Sequence, residues 1–316
     1  GVEVMKTSVL VLTPDAAEYL PHLDRLHGAS YSLAAASTAN EALHLDRPFD
    51  IILGQPDQAA ALLASGAAVS WVQSTWAGVT PLLALGRDDY VLTGVKDTFG
   101  PQISEYVFGY LLAREIKLLE RLGRQAHKHW WQEPSGTLCG KTLGVMGCGS
   151  IGSHVGRTGR HFGMQTVGLS RSGREADGFD RVYSVESLPG FLARPDFLVC
   201  ALPETPETRW LLGAREFALM KPGCYLVNVG RGSLIDEKAL VDALEDGRLA
   251  GAALDVFSEE PLPEDSALWH AENALVTAHI AAKSRPADIA RIFLANLERF
   301  RQGASLEYLI DFDLGY

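Results

Sequence analysis

The stretch Thr142-Leu143-Gly144-Val145-Met146-Gly147-Cys148-Gly149-Ser150-Ile151-Gly152 decides the fold. Its first five residues form a short apolar run of strand character, and a helical period opens behind them and continues through Val155 and Phe162. Each glycine between such a strand and such a helix has a physical purpose. Gly147 permits the tight strand-to-helix turn, Gly149 lets backbone approach a pyrophosphate, and Gly152 lets the helix pack closely, so that the helix N-terminus meets the anion. The spacing alone says little in a chain with 31 glycines. With a strand before it and a helix after it, it is a dinucleotide fingerprint.

Outward from this point, strand-like runs at 165–169, 197–201, 225–229, 251–256 and 274–277 alternate with helical patterns. That alternation predicts βαβ units and a parallel sheet covered by helices on both faces. Upstream, short apolar runs at 8–12, 51–53 and 69–72 are separated by alanine-rich stretches and read as a smaller α/β unit. The texture changes at Gly100-Pro101, after which Ile103, Val107 and Leu111, with Phe108 and Leu112, recur at helical spacing. A second helical pattern at 285–301 is followed by an apolar run at 306–310 and could pack back onto the first unit. The expected class is α/β, with two doubly wound parallel-sheet domains facing each other across a cleft. The domains are residues 1–99 with 285–316, and residues 100–284.

Composition narrows the function. The 316 residues carry 28 Lys+Arg against 39 Asp+Glu, a net charge of −11, with 47% hydrophobic and 21% charged residues, which describes a globular chain. An acidic surface without a dense basic run argues against nucleic acid as a partner, because cations that displace counterions carry that affinity. Cys139, Cys148, Cys200 and Cys224 stand far apart with no C-x-x-C pair, so neither a disulfide framework nor a metal site is expected. No run of about 18 apolar residues appears, and residues 1–5 lack an export pattern, with Met5 a candidate natural start. A cytoplasmic protein that contacts no membrane is expected.

The candidate site residues stand at strand ends, where a doubly wound sheet has its binding crevice. After the second strand of the fingerprint unit comes Ser170-Arg171-Ser172, where NAD-specific sites usually place a carboxylate for the ribose 2′-hydroxyl. Arg171 between two hydroxyls suits a 2′-phosphate instead, so NADPH is the expected cofactor, with NAD an alternative. Further on, Asn228-Val229-Gly230-Arg231-Gly232 puts an arginine between glycines, able to clamp a carboxylate and polarise a carbonyl. His279 follows the last strand, and a carboxylate partner would fix its tautomer and favour a general-acid role. Glu260 is the preferred partner and Glu259 the local alternative.

The glycine fingerprint, Asn-Val-Gly-Arg-Gly, Glu259-Glu260-Pro261-Leu262-Pro263 and Thr277-Ala278-His279-Ile280-Ala281-Ala282, in this order, resemble the D-isomer-specific 2-hydroxyacid dehydrogenases. The resemblance covers almost the whole chain. The Ser170-Arg171-Ser172 turn and the tail look most like the NADPH-preferring glyoxylate/hydroxypyruvate reductases. The resemblance implies a Rossmann-type nucleotide domain inserted into a split, flavodoxin-like substrate domain, and hydride transfer to a small 2-keto acid. Arg231, Glu260 and His279 would be the catalytic set. Gly147, Gly149, Ser150, Ile151, Gly152, Ser170, Arg171, Ser172, Leu202, Pro203, Glu204, Val229, Gly230 and Asp255 would line the cofactor, with Asp255 near the nicotinamide carboxamide. Trp76, Ala77 and Gly78 match the family's carboxylate-binding loop, joined there by Arg231.

Two positions depart from the family pattern. Trp76 stands where many members carry glycine, and Thr80 where aspartate is common. The indole could shrink the pocket, stack on a larger substrate or pack between domains. The resemblance also implies a homodimer through the nucleotide domain, with Trp130 and Trp131 as interface or core residues. Cys148 reads as a space-filler whose pKa a helix N-terminus could lower. The competing reading is a dinucleotide-sensing, corepressor-like regulator on the same scaffold.

Overall fold

The computed structural model describes residues 6–26, 28 and 30–315; residues 1–5, with the expected lack of an export pattern and the candidate start at Met5, lie outside that set. The chain divides into two compact units, residues 1–98 with 284–316, and residues 99–283. Each unit holds one parallel sheet.

The first sheet has strands β1 (Thr7–Leu12), β2 (Tyr31–Ala36), β3 (Ile51–Gly54), β4 (Trp71–Ser74) and β5 (Val91–Thr93) in the order β2-β1-β3-β4-β5. This is the flavodoxin-like order. Strands β1 and β3 are mostly buried apolar runs and β4 is buried along its whole length, as expected of central strands covered on both faces. Edge strands β2 and β5 are not apparent from sequence: Tyr-Ser-Leu-Ala-Ala-Ala is mostly half-buried and only three residues of β5 pair. The helix Pro286–Arg301 belongs to this unit. Its Phe293 and Phe300 stack on Trp71 at 5.2 and 5.5 Å between ring centres, and its buried Asn296 Nδ2 donates to the carbonyl of Glu307. The apolar run at 306–310 makes an isolated bridge from Leu309 to Thr93 rather than a strand.

The second sheet has strands β6 (Thr142–Met146), β7 (Gln165–Ser170), β8 (Arg181–Ser184), β9 (Phe197–Cys200), β10 (Cys224–Asn228), β11 (Leu249–Leu254) and β12 (Ala274–Val276). Their order is β12-β11-β10-β9-β6-β7-β8. This is the Rossmann arrangement with one extra strand, and its order reverses between β6 and β9. Register aligns the carboxyl ends: Leu169, Met146, Cys200, Asn228, Leu254 and Val276 form one row across six neighbouring strands. Every loop that leaves this row starts at the same edge of the sheet. The fold is therefore the α/β, doubly wound, two-sheet class expected.

Candidate active site

The loop after β6 is built by close approach. Gly147 has φ 104°, and a Cβ there would stand 2.7 Å from the Ala201 carbonyl oxygen. A Cβ on Gly152 would lie 1.7 Å from the Gly147 carbonyl oxygen, so no other residue lets the helix Ser150–His161 begin where it does. Gly149 is different, because a Cβ there would meet nothing within 4 Å. That open space lies directly before a 12-residue helix whose N-terminus no side chain caps, so the first-turn N–H groups suit an anion. The residues present fit the pyrophosphate of a dinucleotide. Cys148 corrects one expectation: burial pushes its thiol up to about 12. Burial, not the helix terminus, governs it.

At the end of β7 the Ser170 hydroxyl accepts from the Gly173 N–H at 3.1 Å and the Ser172 hydroxyl from the Arg174 N–H at 3.4 Å. These bonds shape a turn on which Arg171 is exposed. Arg171 also acts on the carboxylate of Glu207, whose pKa lies below its ordinary value mainly through hydrogen bonds from its own backbone and Thr205. After β9, Leu202 and Pro203 lead into a loop closed by the Thr208 hydroxyl, which donates to the Pro203 carbonyl at 2.9 Å. Glu204 is exposed on that loop.

The loop after β10 is held by Asn228, whose side chain accepts from the Gly230 N–H and donates to the Arg231 carbonyl, each at 3.1 Å. Val229 donates its N–H to the Cys200 carbonyl at 3.1 Å. Arg231 is half-buried, and its Nη1 donates to the Gly230 carbonyl at 2.8 Å. Burial lowers the Arg231 pKa, opposed by the charges of Glu204 and Glu260. The guanidinium stays charged in any case. The neutral side chain of Asn228 carries no titratable signal by which sequence would mark it as the brace of this loop.

His279 and Glu260 come together across 19 residues. The Nδ1 of His279 stands 2.7 Å from Glu260 Oε2, while Glu260 Oε1 accepts from the Phe257 N–H at 3.0 Å. A carboxylate anchored at one oxygen orients the imidazole with the other, leaving Nε2 as the outward nitrogen. Glu259 is exposed, and the paired glutamate is Glu260. The segment bearing His279 is tied to Asp255, which is 2% exposed. Asp255 Oδ1 accepts from the Thr277 hydroxyl at 2.6 Å and the Ile280 N–H at 2.8 Å, and Oδ2 accepts from the Ala281 N–H at 2.8 Å. The aspartate expected beside the carboxamide braces the histidine segment.

In the first unit, β4 ends in Ser74, whose hydroxyl accepts from the Trp76 N–H at 3.0 Å and donates to the Trp76 carbonyl at 2.7 Å. This turn presents Trp76 at 41% exposure and leads into Ala77 and Gly78. Ser284 donates to the Thr75 carbonyl and ties the returning chain to the same turn. Among the described residues no group of three or more His, Cys, Asp or Glu could hold a metal, and no helix is long and apolar enough to cross a membrane.

Comparison with known proteins adds the following. The model of the D-isomer specific 2-hydroxyacid dehydrogenase NAD binding domain matches residues 109–281. A family protein of that description from Aeromonas salmonicida subsp. salmonicida has a solved structure that superposes with a TM-score of 0.93 at 44% identity, covering 98% of this chain and 100% of that one. The NADPH-dependent glyoxylate/hydroxypyruvate reductase of Sinorhizobium meliloti, in complex with NADP and sulfate, superposes with a TM-score of 0.86 at 30% identity, covering 98% and 100%. Glyoxylate/hydroxypyruvate reductase A of Serratia proteamaculans is 33% identical over 226 residues, 71% of this chain and 72% of that protein.

Proposed function

The chain belongs to the D-isomer specific 2-hydroxyacid dehydrogenases, which are NAD(P)-dependent oxidoreductases, and from that premise we propose that it reduces a small 2-keto acid of the glyoxylate or hydroxypyruvate kind to its D-2-hydroxy acid, with NADPH preferred and NADH an alternative. The observation that carries the reading is the 2.7 Å contact of His279 with Glu260 at the same sheet edge as the glycine cradle and Arg231. Residues 99–283 form the nucleotide domain in this reading, and residues 1–98 with 284–316 the substrate domain.

When bound, the reduced nicotinamide supplies the hydride that reaches the keto carbon. Arg231 holds the substrate carboxylate and polarises the carbonyl with its guanidinium. His279, protonated on both nitrogens, donates from Nε2 to the oxygen that gains charge, and Glu260 keeps the Nδ1 proton in place through the transfer. Asp255 Oδ2 accepts one bond from the chain and keeps a lone pair for the carboxamide. Gly147, Gly149, Ser150, Ile151 and Gly152 cradle the pyrophosphate, and Leu202, Pro203, Glu204, Val229 and Gly230 line the riboses. Arg171, with Ser170 and Ser172, takes the 2′-phosphate. Trp76, Ala77 and Gly78 bind the substrate, Ala77 and Gly78 through backbone N–H groups.

The same reading makes the protein a cytoplasmic homodimer, with no nucleic acid or membrane as partner. Four free cysteines suit a reducing compartment. The helix Leu118–Ala126 buries none of its residues and exposes Leu119 at 60% and Leu122 at 52%, apolar area that a second copy would cover.

The test is the loss of reduced-nicotinamide absorbance with NADPH or NADH over glyoxylate, hydroxypyruvate, pyruvate and a phenyl-substituted keto acid. Turnover is expected with NADPH and the small acids, and His279→Gln should lower kcat by about a hundredfold or more with cofactor binding intact. Cofactor binding without turnover of any acid would overturn the reading in favour of a regulator.

A further inference from the structure

The histidine segment is held from a distance by the helix Gly100–Glu115 of the same unit. His279 has φ 55°, a left-handed conformation uncommon for a residue with a Cβ, and the bonds around it hold the segment there. Asp255 supplies part of that hold: its carbonyl accepts from the His279 N–H at 2.9 Å, and its carboxylate takes Thr277, Ile280 and Ala281. The helix adds to this at two residues one turn apart. Gln102 exchanges a pair of hydrogen bonds with the backbone of Lys283, Nε2 donating to the carbonyl at 2.9 Å and Oε1 accepting from the N–H at 3.1 Å. The Tyr106 phenol meets the Thr277 hydroxyl at 2.7 Å. The two contacts grip the segment on either side of His279.

The direction of the Tyr106 contact follows from proton counting. The Thr277 hydroxyl has a single proton, and at 2.6 Å from an acceptor-only carboxylate it donates that proton to Asp255. Thr277 can then only accept from Tyr106, so the phenol is the donor. Burial raises the Tyr106 pKa, so the phenol keeps its proton. The order is Tyr106 to Thr277 to Asp255, and Asp255 in turn fixes the N–H groups on either side of the Ile280 peptide.

We infer that Tyr106 is a positioning residue, which orders the segment carrying His279 through Thr277 and Asp255 and so sets the aim of the proton donor. Its consequence for catalysis rests on the dehydrogenase reading. Its consequence for the segment does not. A phenol that only packed its ring, on Tyr110 at 4.8 Å between centres, would be replaced by phenylalanine without effect on the Ile280 and Ala281 amides.

The experiment compares the wild-type protein with Tyr106→Phe and Thr277→Ser by amide hydrogen exchange and by steady-state kinetics. In Tyr106→Phe the Ile280 and Ala281 amides should exchange about five- to fifteenfold faster, the change that loss of one ordinary hydrogen bond produces. The kcat for glyoxylate should fall about tenfold or more, while KM for the acid and Kd for NADPH stay within about twofold. Thr277→Ser keeps the hydroxyl and should match the wild type in both. Unchanged exchange in Tyr106→Phe would overturn the inference whatever the kinetics, and a raised KM at unchanged kcat would overturn it in favour of a binding role. If the wild-type protein reduced no 2-keto acid, the dehydrogenase reading would fall, and the exchange comparison would still decide whether Tyr106 orders the segment.

Discussion

Arg171 is the residue whose replacement would separate two cofactors in the proposed reading. It is exposed on a turn that offers two hydroxyls and no carboxylate, so a ribose 2′-phosphate gains a cation and a 2′-hydroxyl gains little. Arg171→Ala should raise KM for NADPH about ten- to a hundredfold and leave KM for NADH within about twofold, measured as initial rates at saturating keto acid. An equal rise for both cofactors would remove the phosphate assignment. At this scale the sequence was informative where chemistry is written in consecutive letters. Arg231 stands between two glycines, and His279 follows a strand by a few residues. Tyr106 and Thr277, 171 positions apart, carry no such signal, because nothing local marks a tyrosine on a helix as the donor to a distant hydroxyl. Asp255 was legible as a site residue, but its hold on Ile280 and Ala281 depends on how the chain turns after β12.

Among the elements, the helix Leu118–Ala126 carries an amphipathic pattern that its own chain does not satisfy. Leu118, Leu119 and Leu122 are exposed and no residue of the helix is buried. Trp130 is 86% exposed, whereas Trp131 lies beneath the cationic groups of Lys117, Arg121 and Arg124 at 5.4–5.6 Å. Light scattering should find a dimer of the wild-type protein at micromolar concentration, and the double variant Leu119→Glu, Leu122→Glu should be monomeric with its thermal midpoint in the second unit little changed. A wild-type monomer, or a dimer that survives both glutamates, would place the contact elsewhere or nowhere. Strands divide by the same logic of coverage. Central strands such as Ile51–Gly54 and Thr142–Met146 are continuous buried runs and were visible in sequence. The edge strand Arg181–Ser184 pairs on one side only and is half-exposed, so its composition does not set it apart from a loop.

At the scale of the molecule, the unit of residues 99–283 is one uninterrupted segment with its own apolar core, from Met146 and Leu198 through Leu226 to Leu254. Excised, it should fold cooperatively, bind NADPH by fluorescence titration and reduce no keto acid, since the residues proposed to bind the substrate, Trp76, Ala77 and Gly78, are absent. An unfolded fragment by circular dichroism would mean that the core depends on the rest of the chain. The other unit has no such independence, because Phe293 and Phe300, which cover Trp71, come from the far end of the sequence. On the ribosome this has a cost in time. Once Thr98 is made, 185 more residues follow before the first unit resumes at Ser284, which at roughly 5–20 residues per second is on the order of ten to forty seconds. During that interval the nascent β-sheet waits with its Trp71 face bare, and a holdase chaperone that binds exposed aromatic surface would have its longest opportunity there.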